Sequence, residues 1–296
     1  MSTKILVLGK NGQLGRALMA LLGEQAHGLG HGECNLLDPD FIKHLAPLVG
    51  TIDAVVNASA YTQVDKAEGE GRADAFRVNG SAVGELAGWC KQHGIPFVHV
   101  STDYVFEGSG DTPYREEDAT KPLNAYGASK LAGEVATEAV GGQYLIFRTS
   151  WVYDAVAANF FTKMLSLFRS KTTLQVVDDQ VGAPTYAPHL AEGLVAALAS
   201  AQAQTTFPSG VYHLCNQGEV NRYDNATMLL ALAKPRDPAI VCQSIAPVPT
   251  STFPMPAARP LNSRLNCSKA KYVLGVTLPD WKDGLNAWME TIYAGL

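Results

Sequence analysis

Tyr126 and Lys130 stand one helical turn apart in Tyr126-Gly127-Ala128-Ser129-Lys130. On a helix that spacing puts both side chains on one face. A free phenol has a pKa of about 10 and gives up its proton poorly, but a nearby ammonium stabilises the phenolate and makes the hydroxyl a usable acid. Beside a nicotinamide, such a phenol would protonate a carbonyl oxygen while hydride attacks the carbon, and the lysine would also reach the nicotinamide ribose. Thr102 and Asp103 close the apolar run Phe97 to Val100, where the Thr102 hydroxyl would orient the same oxygen. With 11 tyrosines in 296 residues, a Tyr-x-x-x-Lys pair arises by accident in roughly one such chain in two, so its surroundings must carry the argument. The plain alternative is an amphipathic helix with a half-buried Tyr and an exposed Lys.

The second constellation is Gly9-Lys10-Asn11-Gly12-Gln13-Leu14-Gly15, which follows a first strand and opens a helix. Glycines there allow positive φ and let backbone approach a pyrophosphate, whose charge is favoured by the free N–H groups of the helix start. A dinucleotide is the natural ligand; a tight strand-to-helix turn without one is the alternative. NAD sites usually carry an acid about 20 positions further on for the ribose hydroxyls. Here the second strand ends in Leu29-Gly30-His31-Gly32-Glu33, so the acid is missing or displaced. Lys10 and His31 could face a 2′-phosphate instead, which slightly favours NADPH over NADH.

The elements that must position these groups alternate. Ile5 to Leu8 precedes an amphipathic stretch from Gln13 to Leu22, and Ala54 to Val56 precedes one from Arg72 to Gln92. Phe97 to Val100 leads to a helix from about Ala125 to Ala139, followed by Tyr144 to Phe147. This order predicts an α/β fold with a doubly wound parallel sheet. The strand runs are apolar throughout, as expected where helices cover both faces. Residues 1–150 are expected to form the dinucleotide-binding domain, completed by strand-like Leu174 to Val177 and Val211 to Leu214 within 174–215. Residues 151–296, with an aromatic cluster and the Pro-rich stretch Pro247 to Pro260, are expected to form a smaller, discontinuous substrate-binding lobe.

Composition narrows the function classes. Apolar residues are 47% and charged residues 17%, enough burial to exclude a mostly disordered chain. The 23 Lys and Arg against 28 Asp and Glu give −5 and no basic run, which argues against nucleic-acid binding. No stretch approaches a membrane span of about 20 apolar residues. Five scattered cysteines without a Cys-x-x-Cys pair, and no signal-peptide pattern, predict reduced thiols in a cytoplasmic protein. A hydrolase triad lacks its Gly-x-Ser-x-Gly elbow, and His27 and His31, spaced as metal ligands on a helix would be, lie among glycines that disfavour a helix.

These segments, in order, resemble the extended short-chain dehydrogenase/reductase superfamily, and within it the dTDP-4-dehydrorhamnose reductase family. The likeness spans nearly the whole chain. It is carried by the glycine loop, Asn57-Ala58-Ser59-Ala60-Tyr61-Thr62, Ser101-Thr102-Asp103-Tyr104-Val105-Phe106, Pro122 through Lys130, Arg148-Thr149-Ser150-Trp151-Val152-Tyr153, Asp179 through Thr185, and Arg259-Pro260-Leu261-Asn262-Ser263-Arg264-Leu265. The resemblance implies a Rossmann-type domain and NADPH- or NADH-dependent reduction of the 4-keto group of a dTDP-deoxysugar. It makes Tyr126 the proton donor and Lys130 its partner, with Thr102 and Asp103 contacting the sugar or tuning the acid. Asn35, Leu36, Ala60, Tyr61 and Thr62 would line the cofactor together with the glycine loop. Trp151 would pack on the deoxysugar, Arg259 and Arg264 would meet the nucleotide diphosphate, and Asn79 would help hold the lysine.

Two departures accompany the likeness. Gly30 stands where an acid often ends the second strand. Tyr186-Ala187-Pro188-His189 lacks the glutamate that bridges metal-linked dimers in some relatives, so Mg²⁺ is not supported, and a monomer or homodimer is expected. The competing functions are a nucleotide-sugar epimerase or dehydratase, which would recycle its hydride internally, and a non-catalytic NADP-binding regulatory subunit.

Overall fold

The computed structural model describes residues 3–294. The first part of the chain runs β1 (Ile5–Leu8), α1 (Gln13–Leu22), β2 (Ala26–Leu29), β3 (Ala54–Asn57), α2 (Arg72–Phe76), α3 (Ala82–Gln92), β4 (Phe97–Thr102), α4 (Ala125–Val140) and β5 (Tyr144–Thr149). Then follow β6 (Val152–Tyr153), α5 (Phe160–Ser170), β7 (Thr173–Val177), β8 (Val181–Gly182), β9 (Thr185–Tyr186) and α6 (Ala187–Gln202). The chain ends with β10 (Gly210–His213), β11 (Val220–Asn221), α7 (Arg222–Ala233), β12 (Ser244–Val248), β13 (Asn262–Ser263), α8 (Ser268–Leu274) and α9 (Trp281–Tyr293).

Six strands form one parallel sheet in the order β10-β5-β4-β3-β1-β2. Alternate residues of its strands serve opposite faces. Ile5, Val7, Val56, Val98 and Phe147 pack with α1, α6 and α8, whereas Leu6, Leu8, Val55 and Phe97 pack with α3. This two-sided burial is why the strand runs are apolar at every position, and it makes the doubly wound, Rossmann-type reading of the sequence correct. The order reverses between β1 and β3, so their carboxyl ends open the crevice where such sheets bind ligands.

Residues 210–213 extend this sheet beside β5, but residues 173–177 pair with β12 in a separate ribbon. Thr173 and Gln175 are exposed, and a strand with one wet face cannot enter a sheet covered on both sides. That ribbon packs with α5, α7 and α9 around a second core holding Phe161, Phe168, Leu229, Leu285 and Trp288. The stretch from Arg72 to Gln92 is helical throughout, but a π-turn over 77–81 interrupts it and carries Asn79. All five cysteines are free; Cys215 and Cys267 lie with their Sγ atoms 3.5 Å apart.

Candidate active site

The Tyr-x-x-x-Lys pair lies on the first turns of α4, and local chemistry sets where that helix starts. Asn124 caps it, accepting from Gly127 N–H at 2.8 Å, while its own amide donates to Ala258 O at 2.8 Å. Glu68 Oε1 accepts from Ala125 N–H at 2.6 Å. Tyr126 is thereby aimed at the end of β4, with Tyr104 edge-on to its ring at 5.6 Å. The Thr102 hydroxyl lies beside the Tyr126 hydroxyl and favours its ionised form, but burial and the neighbouring Asp103 charge outweigh this and push the phenol upward. Tyr126 is therefore protonated at neutral pH.

Lys130, only 1% exposed, donates from Nζ to Val100 O at 2.6 Å and sits 3.3 Å from His99 Nε2. Burial lowers it to about 8, opposed by the charge of Glu134. Its ammonium is thus held beneath the site instead of touching the phenol. His99, buried in β4 and kept neutral by burial and by Lys130, forms part of that floor with Asn57. Asn79 bonds Tyr61 through N–H and C=O and donates to Ser129 Oγ at 3.0 Å, so it ties the loop after β3 to α4 and holds the lysine only through the helix.

Asp103 is buried; Oδ1 accepts from Thr102 Oγ1 at 3.0 Å and Oδ2 has no partner. Burial pushes its carboxyl up to about 6, against the Ser263 and Thr102 hydroxyls and the Arg222 charge. Thr149 Oγ1 is a second unpartnered buried atom facing the same space.

That space is a cleft of about 760 Å³ running from the glycine loop to Tyr126. Gly9, Asn11, Gly12, Gln13, Leu14, Asn35, Leu36, Ala60, Tyr61, Thr62, Thr102, Asp103, Tyr126, Lys130 and Trp151 all line it. Gly12 caps α1 without a side chain, leaving the N–H groups of the first turn open to a phosphate. Gly9 has φ +83°, and a Cβ there would come within 2.8 Å of Ser59 N. Gly15 faces away from the cleft: a Cβ would lie 2.0 Å from Gly9 O, so its role is to let the helix meet the loop. Gly15→Ala should lower stability by about 1–3 kcal/mol through overpacking. A urea midpoint equal to that of the parent would contradict this.

The structure separates other expected residues from the cleft. Lys10 pairs with Glu33, whose carboxylate also accepts from Gly30 N–H at 2.7 Å. An acid therefore does stand at the end of β2, displaced by three residues. Arg259 is bound to Asp65 at 2.7 Å and Arg264 to Glu219 at 2.7 Å; neither lines the cleft, and Arg264 lines a second cavity of about 290 Å³ beside Cys215 and Cys267. Trp151 is the one non-glycine residue with positive φ, +49°, among the described residues, a strained conformation of the kind found at functional sites. Arg222, unmarked in the sequence, lies over its ring. Among the described residues no group of three or more His, Cys, Asp or Glu is placed to hold a metal ion.

The glycine cradle and the two unpartnered oxygen atoms fit a dinucleotide with a polar substrate beside it. Comparison with known proteins agrees: the family described as the RmlD substrate binding domain matches residues 3–294. The chain belongs to the RmlD family. A relative from Burkholderia thailandensis named dTDP-4-dehydrorhamnose reductase is 45% identical over 287 residues, covering 94% of this chain and 95% of the relative. A solved dTDP-4-dehydrorhamnose reductase from Clostridium acetobutylicum superposes with TM-score 0.89 at 30% identity, covering 98% of this chain and 99% of that one. The Bacillus anthracis enzyme of the same name, solved with NADP, gives TM-score 0.88 at 29% identity over 98% of this chain and all of that one. No helix among the described residues of this family member is long and apolar enough to cross a membrane.

Proposed function

We propose that this protein reduces the 4-keto group of dTDP-4-dehydro-β-L-rhamnose to the hydroxyl of dTDP-β-L-rhamnose, the last step in making that activated sugar. The observation that carries the reading is a protonated Tyr126 beside Thr102, with the Lys130 ammonium beneath, at one end of a cleft whose other end is a phosphate-binding glycine loop. The bound nicotinamide supplies hydride to C4. Thr102 and Tyr126 hold the carbonyl oxygen by hydrogen bonds that strengthen as it gains negative charge. Tyr126 gives up its proton to that oxygen, and the phenolate left behind is stabilised by the ammonium one helical turn away. Ketone, hydride and proton together make the alcohol, and the phenol is reprotonated from water.

The cofactor is NADPH or NADH. Near the end of β2, His31 lines the cleft and would meet a 2′-phosphate, while Glu33 is held by Lys10 and Gly30 N–H and would reach free ribose hydroxyls only by leaving Lys10, which slightly favours NADPH. Residues 151–296, apart from β10 in the large sheet and α6 and α8 packed on it, form a discontinuous substrate lobe, and the five free thiols fit a reducing cytoplasm.

Stoichiometric loss of nicotinamide absorbance on adding the 4-keto sugar tests the reading. A bound cofactor that is never consumed would reject it in favour of an epimerase or dehydratase, and cofactor binding without turnover would favour a regulatory subunit. The pH profile tests the lysine. A lysine lowered to about 8 is an ammonium below that pH and an amine above it. The rate should therefore fall as pH rises through about 8, and Lys130→Met should lose that limb as well as most of the rate. A Lys130→Met profile with the limb intact would contradict the assignment.

A further inference from the structure

The cleft holds a cation that no sequence pattern announced. Arg222 opens α7, and its backbone N–H donates to Gln180 O at 3.2 Å. Its Cζ lies 3.5 Å from the centroid of the Trp151 ring and 4.9 Å from that of Phe160. The guanidinium is stacked between aromatic rings, where it is held in place with little loss of charge density. Among the described residues, no carboxylate lies within 4.0 Å of it, in contrast to Arg16, Arg259 and Arg264, which are paired with Asp154, Asp65 and Glu219. Lys130, the other cleft cation without a carboxylate partner, is committed to Val100 O and His99.

Arg222 is half-buried, and a guanidinium carries five N–H donors and no acceptor, so without an anion much of its bonding capacity is left to water. The charges of Tyr104, Asp103 and Arg259 act on Arg222, and it lines the cleft with Tyr104, Asp103 and Tyr126. A cofactor pyrophosphate belongs at the glycine loop. The anion nearest the reacting sugar is the diphosphate that joins the sugar to its nucleoside. We infer that Arg222, mounted on Trp151, receives the substrate's diphosphate, the part the resemblance gave to Arg259 and Arg264. This rests on the nucleotide-sugar reading above. Burial lowers Arg222 only to about 10, so it remains cationic at neutral pH.

Arg222→Met in the full chain tests this through the KM of the 4-keto sugar and direct binding of dTDP and of NADP⁺. KM and the dTDP dissociation constant should rise roughly 10- to 100-fold, the scale of a lost bidentate charged contact. The kcat should stay within about threefold and NADP⁺ binding within about twofold, because ground- and transition-state binding of a remote diphosphate are lost together. Arg222→Lys keeps the charge but loses the fork and the stacking, and should fall between parent and Met variant. Unchanged dTDP affinity in both variants would overturn the inference, as would an equal loss for NADP⁺ or a fall in kcat at constant KM. Because dTDP binding is read without turnover, Arg222-dependent dTDP binding in a chain that leaves the 4-keto sugar unreduced would sustain the inference while refuting the reductase reading.

Discussion

Tyr126→Phe should lower kcat by about 10² or more while leaving NADP⁺ affinity within about twofold, the signature of a lost proton donor. Phenylalanine keeps the ring and its edge contact with Tyr104, so packing at the end of β4 survives and the proton alone is removed. Thr102 is too weak an acid to replace it. Asp103 is the remaining candidate: its carboxyl is raised to about 6 by burial and lies 3.0 Å from Thr102 Oγ1. Mostly ionised at neutral pH, it becomes an acid as pH falls through about 6. The residual activity of the Phe variant should therefore rise toward lower pH, opposite to any loss caused by general acid damage. Single-turnover rates from pH 5 to 8, as a working range of about three units, would show this. Turnover equal to that of the parent at neutral pH would remove Tyr126 from the mechanism.

Glu134→Ala should cost about 3–5 kcal/mol of stability, the cost of leaving a buried charge without its partner. Tyr126, Lys130 and Glu134 follow one another at single-turn intervals along α4, so the helix face that carries the chemistry also carries this carboxylate. Glu134 and Arg148 are 1% and 5% exposed and bonded through Nη2 at 2.7 Å and Nε at 3.1 Å. Ser101 Oγ donates to the same carboxylate, and the guanidinium stacks 4.9 Å from the Phe106 centroid. Removing the glutamate strands Arg148, on β5, inside the protein beneath α4. The melting temperature should fall by about 6 °C or more on the scaling for large domains. Replacing both partners, Glu134→Leu with Arg148→Met, should recover much of the loss, since apolar residues of similar volume often substitute for a buried pair without penalty. A single variant that melts with the parent, or a double variant no better than the single, would show that the pair does not anchor α4.

Much of this protein was legible in its residues because the signals are local. The glycine loop announces itself through backbone freedom and position after an apolar run, and the sheet through strand-helix alternation. The tyrosine and lysine share a face because a helix has 3.6 residues per turn, whatever surrounds it. Other features needed the folded chain. His99 carried only the weak signal of a polar residue inside the apolar run Phe97 to Val100, and its place under Lys130 depends on how α4 crosses β4. The sequence left the acid at the end of β2 as missing or displaced, and only the folded turn shows Glu33 brought back onto Gly30 N–H.

The arginines mark the boundary most clearly. By itself the sequence determined that a dinucleotide fold would carry a tyrosine and a lysine on one helix face near a sheet edge, since helix period, glycine conformation and apolar patterning act over a few residues; the upward push on the phenol came only with burial. Which guanidinium stays free for an anion was decided by tertiary structure alone. Arg259 and Arg264 are neutralised by Asp65 and Glu219, 194 and 45 positions away, while Arg222 meets Trp151 and no carboxylate among the described residues. Charge pairing depends on distance in space, and that distance exists only once the chain has folded.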